Sequence, residues 1–313
     1  MPRSIRILVP VLLAVSAAYL LIGLGPRWDF VLPLRGTRLA GMLVVGIAIA
    51  VATVLFQTIS RNRILTPQIM GFDALYILTQ TALIAALGPV GFAMIPATGK
   101  FAVEICVLIF AAMALFGTLL GRGTQDIARM ILTGVILGVL LRSIAAFLTR
   151  LMDPNAFVIA QSEAVVSLSR INADLLPLAA AVTLPTTAIA LWLAPRLDVA
   201  ALGQAPAVSL GLHYNAIVLG VLALVAVLVA VATALVGPLT FLGLIVVTLA
   251  RPLAGTDRHL PLLVTAMLMA ALMLVAGQMV FERVLQQQSA LPAVLEFAGG
   301  LAFLWLLLRG KIK

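Results

Sequence analysis

Charge is the property this chain lacks most. Between Val199 and Ala250 there is no Asp, Glu, Lys or Arg, and only His213 can carry a charge. Few water-soluble folds hide so long a neutral stretch, yet it suffices for two helices to cross a bilayer at about 20 apolar residues each. Of the 313 residues, 10% are charged and 63% hydrophobic, against about 25% and 45–50% in soluble domains. The chain reads as an integral membrane protein. Aromatic residues are scarce, and no alternating polar/apolar strands recur, which argues against a lipid-embedded barrel. Helices satisfy their own backbone hydrogen bonds and remain the solution in hydrocarbon. The expected fold class is therefore all-α, integral to the membrane.

Cysteine is nearly absent too. The single Cys106 excludes an internal disulfide framework. It lies in an apolar run and is expected to be a small buried hydrophobe. The two histidines, His213 and His259, fall at connections between apolar runs. There is no HExxH, no Cys/His cluster and no acidic pair at ligand spacing within a span. Thr98-Gly99-Lys100-Phe101 is similar to the end of a phosphate-binding loop, but its upstream Gly is missing and Phe101 stands where Ser or Thr would hold magnesium. Hence no ATP hydrolysis, catalytic residue, metal site or cofactor is expected of this chain. The net charge of +9 comes from scattered arginines without an aromatic-interleaved stripe; topology explains it better than nucleic acid does.

Ten apolar spans are expected, roughly 7–24, 38–58, 72–89, 101–120, 129–149, 175–195, 215–236, 239–254, 260–281 and 291–308. The first is read as a retained span, because Pro26, Arg27 and Trp28 follow it rather than a small-residue cleavage site. The eighth is short, opens at Gly237-Pro238 and is expected to be tilted or broken. Ten crossings put both termini on one side, and a cytoplasmic N-terminus leaves Arg27, Arg35, Arg38, Lys100, Arg142, Arg150, Arg170 and Arg283 outside or within the membrane. The other twelve basic residues then lie inside, the bias expected of membrane topology. The whole of 1–313 reads as one transmembrane domain. Its two long connections are an outer segment at about 150–174, with a short helix after Asp153-Pro154-Asn155, and a cytoplasmic one at about 196–214. In the latter, small residues and Pro206 predict short helices joined by a tight turn.

Ionisable groups inside the spans are few: Glu104, Arg142 and Glu296. Such groups are functional candidates by default, but these are too dispersed for a proton relay. Met267, Met269 and Met273 are read as packing rather than a soft-metal path. Gly41, Gly46, Ala48, Ala50 and Ala52 allow a close helix approach in the second span.

Four stretches, in order, resemble one family. Residues 41–71 read GMLVVGIAIAVATVLFQTISRNRILTPQIMG, with Gln57, Arg61-Asn62, Pro67 and Gly71; residues 197–212 read LDVAALGQAPAVSLGL. Residues 237–259 read GPLTFLGLIVVTLARPLAGTDRH, and residues 290–310 read ALPAVLEFAGGLAFLWLLLRG. Together they resemble the permease subunits of ABC importers for iron–siderophores and cobalamin. Two departures, Arg63-Ile64-Leu65 for Pro-Leu-Ala and Val247-Thr248 for Pro-His, accompany FLTRLMDPNAF (147–157) and RINADLL (170–176). This combination resembles the branch serving catecholate-type ferric siderophores, whose permeases usually pair with a second, different permease.

The resemblance implies an inner-membrane importer subunit with three kinds of partner. These are ATPase subunits, a second permease chain, and a periplasmic or lipid-anchored siderophore-binding protein. Arg35, Arg38 and Arg283 match family arginines that meet carboxylates of the binding protein. Leu202, Gly203, Leu210 and Gly211 would shape the contact with the ATPase. Gln57 and Arg142 are the polar residues expected in the pathway or the membrane interior. The scarcity of metal ligands suits a cargo that arrives already chelated, since a bare-metal importer needs donor atoms to replace hydration. An ion-gradient-driven secondary transporter, and a cobalamin or haem permease of the same family, stand as the alternatives.

Overall fold

The computed structural model of the chain describes residues 3–23, 26, 28–120, 127–169, 171–286 and 290–308. Arg27, Arg122, Arg170, Arg309, Lys311 and Lys313, which entered the charge asymmetry, lie outside them. Among the described residues the regular structure is entirely helical. The α-helices run α1 (Arg3–Leu21), α2 (Trp28–Ser60), α3 (Phe72–Met94), α4 (Ala97–Leu120), α5 (Ile127–Leu151), α6 (Pro154–Ala164) and α7 (Leu176–Trp192). They continue as α8 (Ala194–Ala200), α9 (Gln204–Ser209), α10 (Tyr214–Val236), α11 (Leu242–Ala254), α12 (His259–Arg283) and α13 (Ala290–Leu308). Among the described residues, seven helices are long and apolar enough to cross a membrane, or eight if α7 and α8, bent by 57°, count as one span. Two shorter apolar helices lie at α11 and in α13.

The helix α2 is the centre of the packing. It has 33 residues, and all of those from Ala48 to Ile59 are buried, Ala50, Ala52 and Thr53 among them. It touches α1, α7, α10, α11 and α12. Small side chains make that crowding possible. A methyl added at Gly46 would stand 3.2 Å from the backbone nitrogen of Ala271 in α12. Gly243 of α11 lies directly against the Thr53 side chain. Met267, Met269 and Met273 of α12 pack against the same core. The helix starts at Trp28, well before the expected span, so Arg35 and Arg38 sit on a helix and not in a loop.

Two stretches that are not α-helical run into the bundle. The chain leaves α2 with Arg61 at φ 50, turns back through Asn62, whose Oδ1 accepts from the Ile64 amide at 3.0 Å, and forms a 3₁₀ turn at Pro67–Met70. Thr66, 0% exposed, donates its hydroxyl to the Thr240 carbonyl at 3.3 Å. That carbonyl belongs to the second stretch, Gly237–Phe241, between α10 and α11. Irregular backbone survives in a membrane protein when it is covered by protein and hydrogen-bonded there. Gly71, at φ 94, faces Gly138 of α5, where an added methyl would stand 2.8 Å from its Cα. The helix α3 breaks at Gly88, at φ 68, immediately before Pro89, since proline cannot donate to the helical ladder.

Outside this core, Asp153 caps α6 by accepting from the Asn155 and Ala156 amides at 2.9 and 3.0 Å. Cys106 is exposed on α4, contrary to the expected buried thiol. Its helix presents one face to α10 and this residue to the outside, where lipid is as apolar as a protein core.

The α2–α12 contact gives a stability prediction. Gly46→Val forces two backbones apart and should destabilise the chain by about 1–3 kcal/mol, the usual range for overpacking. Gly220→Ala, at a site with nothing within 4 Å, should leave thermal unfolding in detergent unchanged or slightly raised. Equal melting of the Gly46 variant and the parent would refute the tight approach.

Candidate functional surfaces and polar sites

Where the last turns of α1 and α12 meet the first turns of α2, three arginines converge. The last carbonyls of a helix have no partner within it, and here two side chains supply one. Arg35 Nη1 donates to the Leu20 and Ile22 carbonyls at 2.9 and 3.0 Å, and Nη2 to that of Gly23 at 3.1 Å. Arg283 donates to Tyr19 at 3.2 Å and also to Ile22. Arg38 lies 3.6 Å from Glu282, which also accepts from Gln278 at 2.8 Å. The expected docking arginines are thus brought together, and each is engaged within the chain. Three cations face one carboxylate in this cluster, so positive charge remains.

Beyond α7 the backbone makes two tight turns. Gly203, at φ 102, precedes α9, and Gly211, at φ 83, follows it; both values favour glycine. The Leu212 amide closes the second turn on the Ala207 carbonyl at 2.9 Å. Leu202 and Leu210 point outward, 55% and 66% exposed, with Val208 at 54% between them. A methyl at Gly203 would meet the Arg61 guanidinium at 3.2 Å, so this turn seats directly on the end of α2.

Polar residues within the bundle form pairs. Gln57, 2% exposed, accepts from Arg251 Nη2 at 3.0 Å, joining α2 to α11. Arg142 of α5 meets Asp73 of α3 at 3.0 Å, with 63% of the arginine side chain exposed. A bare ion pair on the flank of an apolar helix needs water or a second protein to cover it. Glu104 is buried and accepts from Gln80 Nε2 at 2.7 Å. Both line a cavity of about 470 Å³ with Tyr76, Lys100, Glu163 and Asn172, and Lys100 rests 3.6 Å above the Phe92 ring. Glu296 is exposed on α13, away from that pair. No group of three or more potential metal ligands forms among the described residues.

One connection escaped the sequence analysis. Asp198 of α8, His259 of α12 and Thr58 of α2 form a continuous hydrogen-bonded row. Asp198 and His259 do fall within two of the recognised motifs, but their separation of 61 positions conceals the pairing.

The family model described as the FecCD transport family matches residues 7–309. The chain belongs to that family. It is 37% identical over 307 residues to the petrobactin import system permease protein YclO of Bacillus subtilis (strain 168), covering 98% of this chain and 97% of that one. It is 29% identical to the petrobactin import system permease protein FatC of Bacillus anthracis, over 91% of this chain and 81% of that one. The hemin transport system permease protein HmuU of Yersinia pestis is 28% identical, over 91% and 84% respectively. The fold is shared with a solved structure of a metal-chelate type ABC transporter in an inward-facing conformation, at TM-score 0.83 and 23% identity, over 98% of this chain and 99% of that one. A FecCD chain is a transport protein, not an enzyme, and resides in the inner membrane with several spans. Membership implies ATPase and binding-protein partners.

The Gln57–Arg251 bond can be tested within this FecCD chain. Gln57→Leu removes the acceptor from a half-buried guanidinium and should cost about 1–3 kcal/mol, the penalty of an unsatisfied buried group. Adding Arg251→Met should recover much of the loss, because an apolar pair can replace a buried polar one. Thermal melting of the two variants in detergent decides it; an inert Gln57→Leu would show that the bond contributes nothing.

Proposed function

We propose that this chain is one permease half of an ABC importer that carries a ferric siderophore into the cytoplasm. The observation that carries the reading is the apolar tip Leu202–Val208–Leu210, held outward by two glycine turns in a chain whose family consists of transport permeases. An unpaired apolar tip beside the membrane requires a protein partner, and ATP-driven closure requires a stiff part to push. In this reading Leu202, Gly203, Leu210 and Gly211 meet the ATPase subunit. The chain is a single permease domain that crosses ten times, with both termini cytoplasmic and α11 and α13 as its shorter crossings.

On the outer side, Arg35, Arg38 and Arg283 present positive charge to carboxylates of a binding protein, since charge-assisted pairs orient as well as attract. Arg142, uncovered in the single chain, faces the pathway shared with a second, different permease. Gln57 stays within the bundle and steadies α11 from there. Two relatives named for petrobactin make its ferric complex the first cargo to try; a relative named for hemin makes haem the second.

Deleting the gene should abolish growth on ferric petrobactin under iron starvation, and uptake should be blocked by vanadate but not by an uncoupler. Uptake that follows the proton gradient and ignores vanadate would move the chain to the secondary transporters. Loss of haem uptake alone would reassign the cargo.

The docking role needs a variant that spares the α1 cap. Arg38→Glu should weaken association with the binding protein, and added salt should shrink the difference from the parent. Arg35→Glu also uncaps α1 and should lower thermal stability in addition. Unchanged affinity in Arg38→Glu would remove that residue from the docking surface.

A further inference from the structure

The cytoplasmic helix α8 is tied to the two long helices beneath it by side chains that no part of the importer scheme has used. Its Asp198 places one oxygen, Oδ1, on two donors of a single residue. These are the His259 backbone amide at 2.7 Å and the His259 ring Nδ1 at 2.6 Å. That amide belongs to the first turn of α12 and has no partner inside its helix. The carboxylate therefore holds the α12 N-terminus while it aligns the ring. On the far side, Nε2 lies 2.8 Å from the Thr58 hydroxyl, and the same hydroxyl lies 2.8 Å from the Val54 carbonyl. Three helices distant in sequence are joined through one imidazole that is only 5% exposed.

A carboxylate only accepts, so Nδ1 carries a proton. Thr58 has one proton and two acceptors within reach. If it donates to Nε2, the ring is neutral and the row is complete. If it donates to Val54, then Nε2–H donates to Thr58, the ring is cationic, and the row is again complete. The connection holds in either charge state. The row can therefore serve as a strut.

We propose that Asp198, His259 and Thr58 are positioning residues for energy coupling: they lock α8 to α2 and α12, so that a push on the Leu202–Leu210 tip displaces the transmembrane helices instead of bending the loop. The inference rests on the importer reading and adds to it the residues that receive the force. Packing supports the same path. The helix α8 touches α12, α2 and α10, and its Leu197 and Ala200 are buried. The turn after α8 sits on Arg61, three residues beyond Thr58. Both attachments thus end at the C-terminus of α2, one on its last turn and one on the residue just beyond it.

The test uses His259→Phe, which keeps a ring and removes both nitrogens, and Thr58→Val, which keeps the shape and removes the hydroxyl. Amide hydrogen exchange of the chain in nanodiscs should accelerate about tenfold within residues 194–203 in both variants, while Tyr214–Val236 stays unchanged, as for a local opening. In the transporter assembled with its ATPase subunits, basal ATP hydrolysis and subunit retention should match the parent. Stimulation of hydrolysis by the binding protein should fall about fivefold, and the double variant should fall no further than His259→Phe, as expected for groups in one network. Unchanged exchange and stimulation would overturn the proposal. So would acceleration spread equally through α7 and α10, which would mean general loosening, or losses that simply multiply. If the parent chain retains no ATPase subunit, the importer reading falls while the exchange measurement still judges the strut.

Discussion

Close approach of α2 to its neighbours is the constraint on which the remaining architecture depends. Lipid tails are as apolar as leucine, so burial from water does little to hold one membrane helix against another; shape has to do it. Gly46 lets α2 lie against the α12 backbone, and Gly243 lets α11 lie against Thr53. With α2 enclosed, its ends become fixed points. The N-terminal end carries Arg35 and Arg38; the C-terminal end carries Gln57 and Thr58, with Arg61 just beyond. Each of these reaches another segment.

The two irregular stretches that enter the bundle follow from the same core. Thr66 and Thr240 satisfy each other only because α2 and α11 bring their flanking turns together. Without that cover, open backbone inside the membrane would be costly. A transport protein benefits from such segments, because they can change shape without unwinding a whole helix. The proposed stiff connection lies elsewhere, in the Asp198–His259–Thr58 row.

Much of the fold was legible from the sequence because charge marks where a span cannot go. The charge-free run through α10 and most of α11 stands out in any hydropathy reading, and Asp153-Pro154-Asn155 announces the start of α6. The start of α2 is hidden in the sequence because Arg35 and Arg38 signal a loop, whereas helix carbonyls and Glu282 hold their guanidinium groups in place. Cys106 was misplaced because hydropathy cannot separate a protein-facing surface from a lipid-facing one. The candidate sites were legible as residues but not as pairs. Gln57 and Arg251 are 194 positions apart, and Arg142 and Asp73 are 69 apart. Only the folded chain shows that Asp73 answers Arg142 or that His259 answers Asp198.

The capping of α1 has a mechanical consequence. Its final carbonyls are held by guanidinium groups from two different helices, α2 and α12. Any rocking of the permease must therefore carry these three helices as one block, and relative movement has to be sought across other seams. The flank that bears α5 packs instead on α3 and the Pro67–Met70 turn, with Gly138 against Gly71, and can shift against that block without breaking the caps.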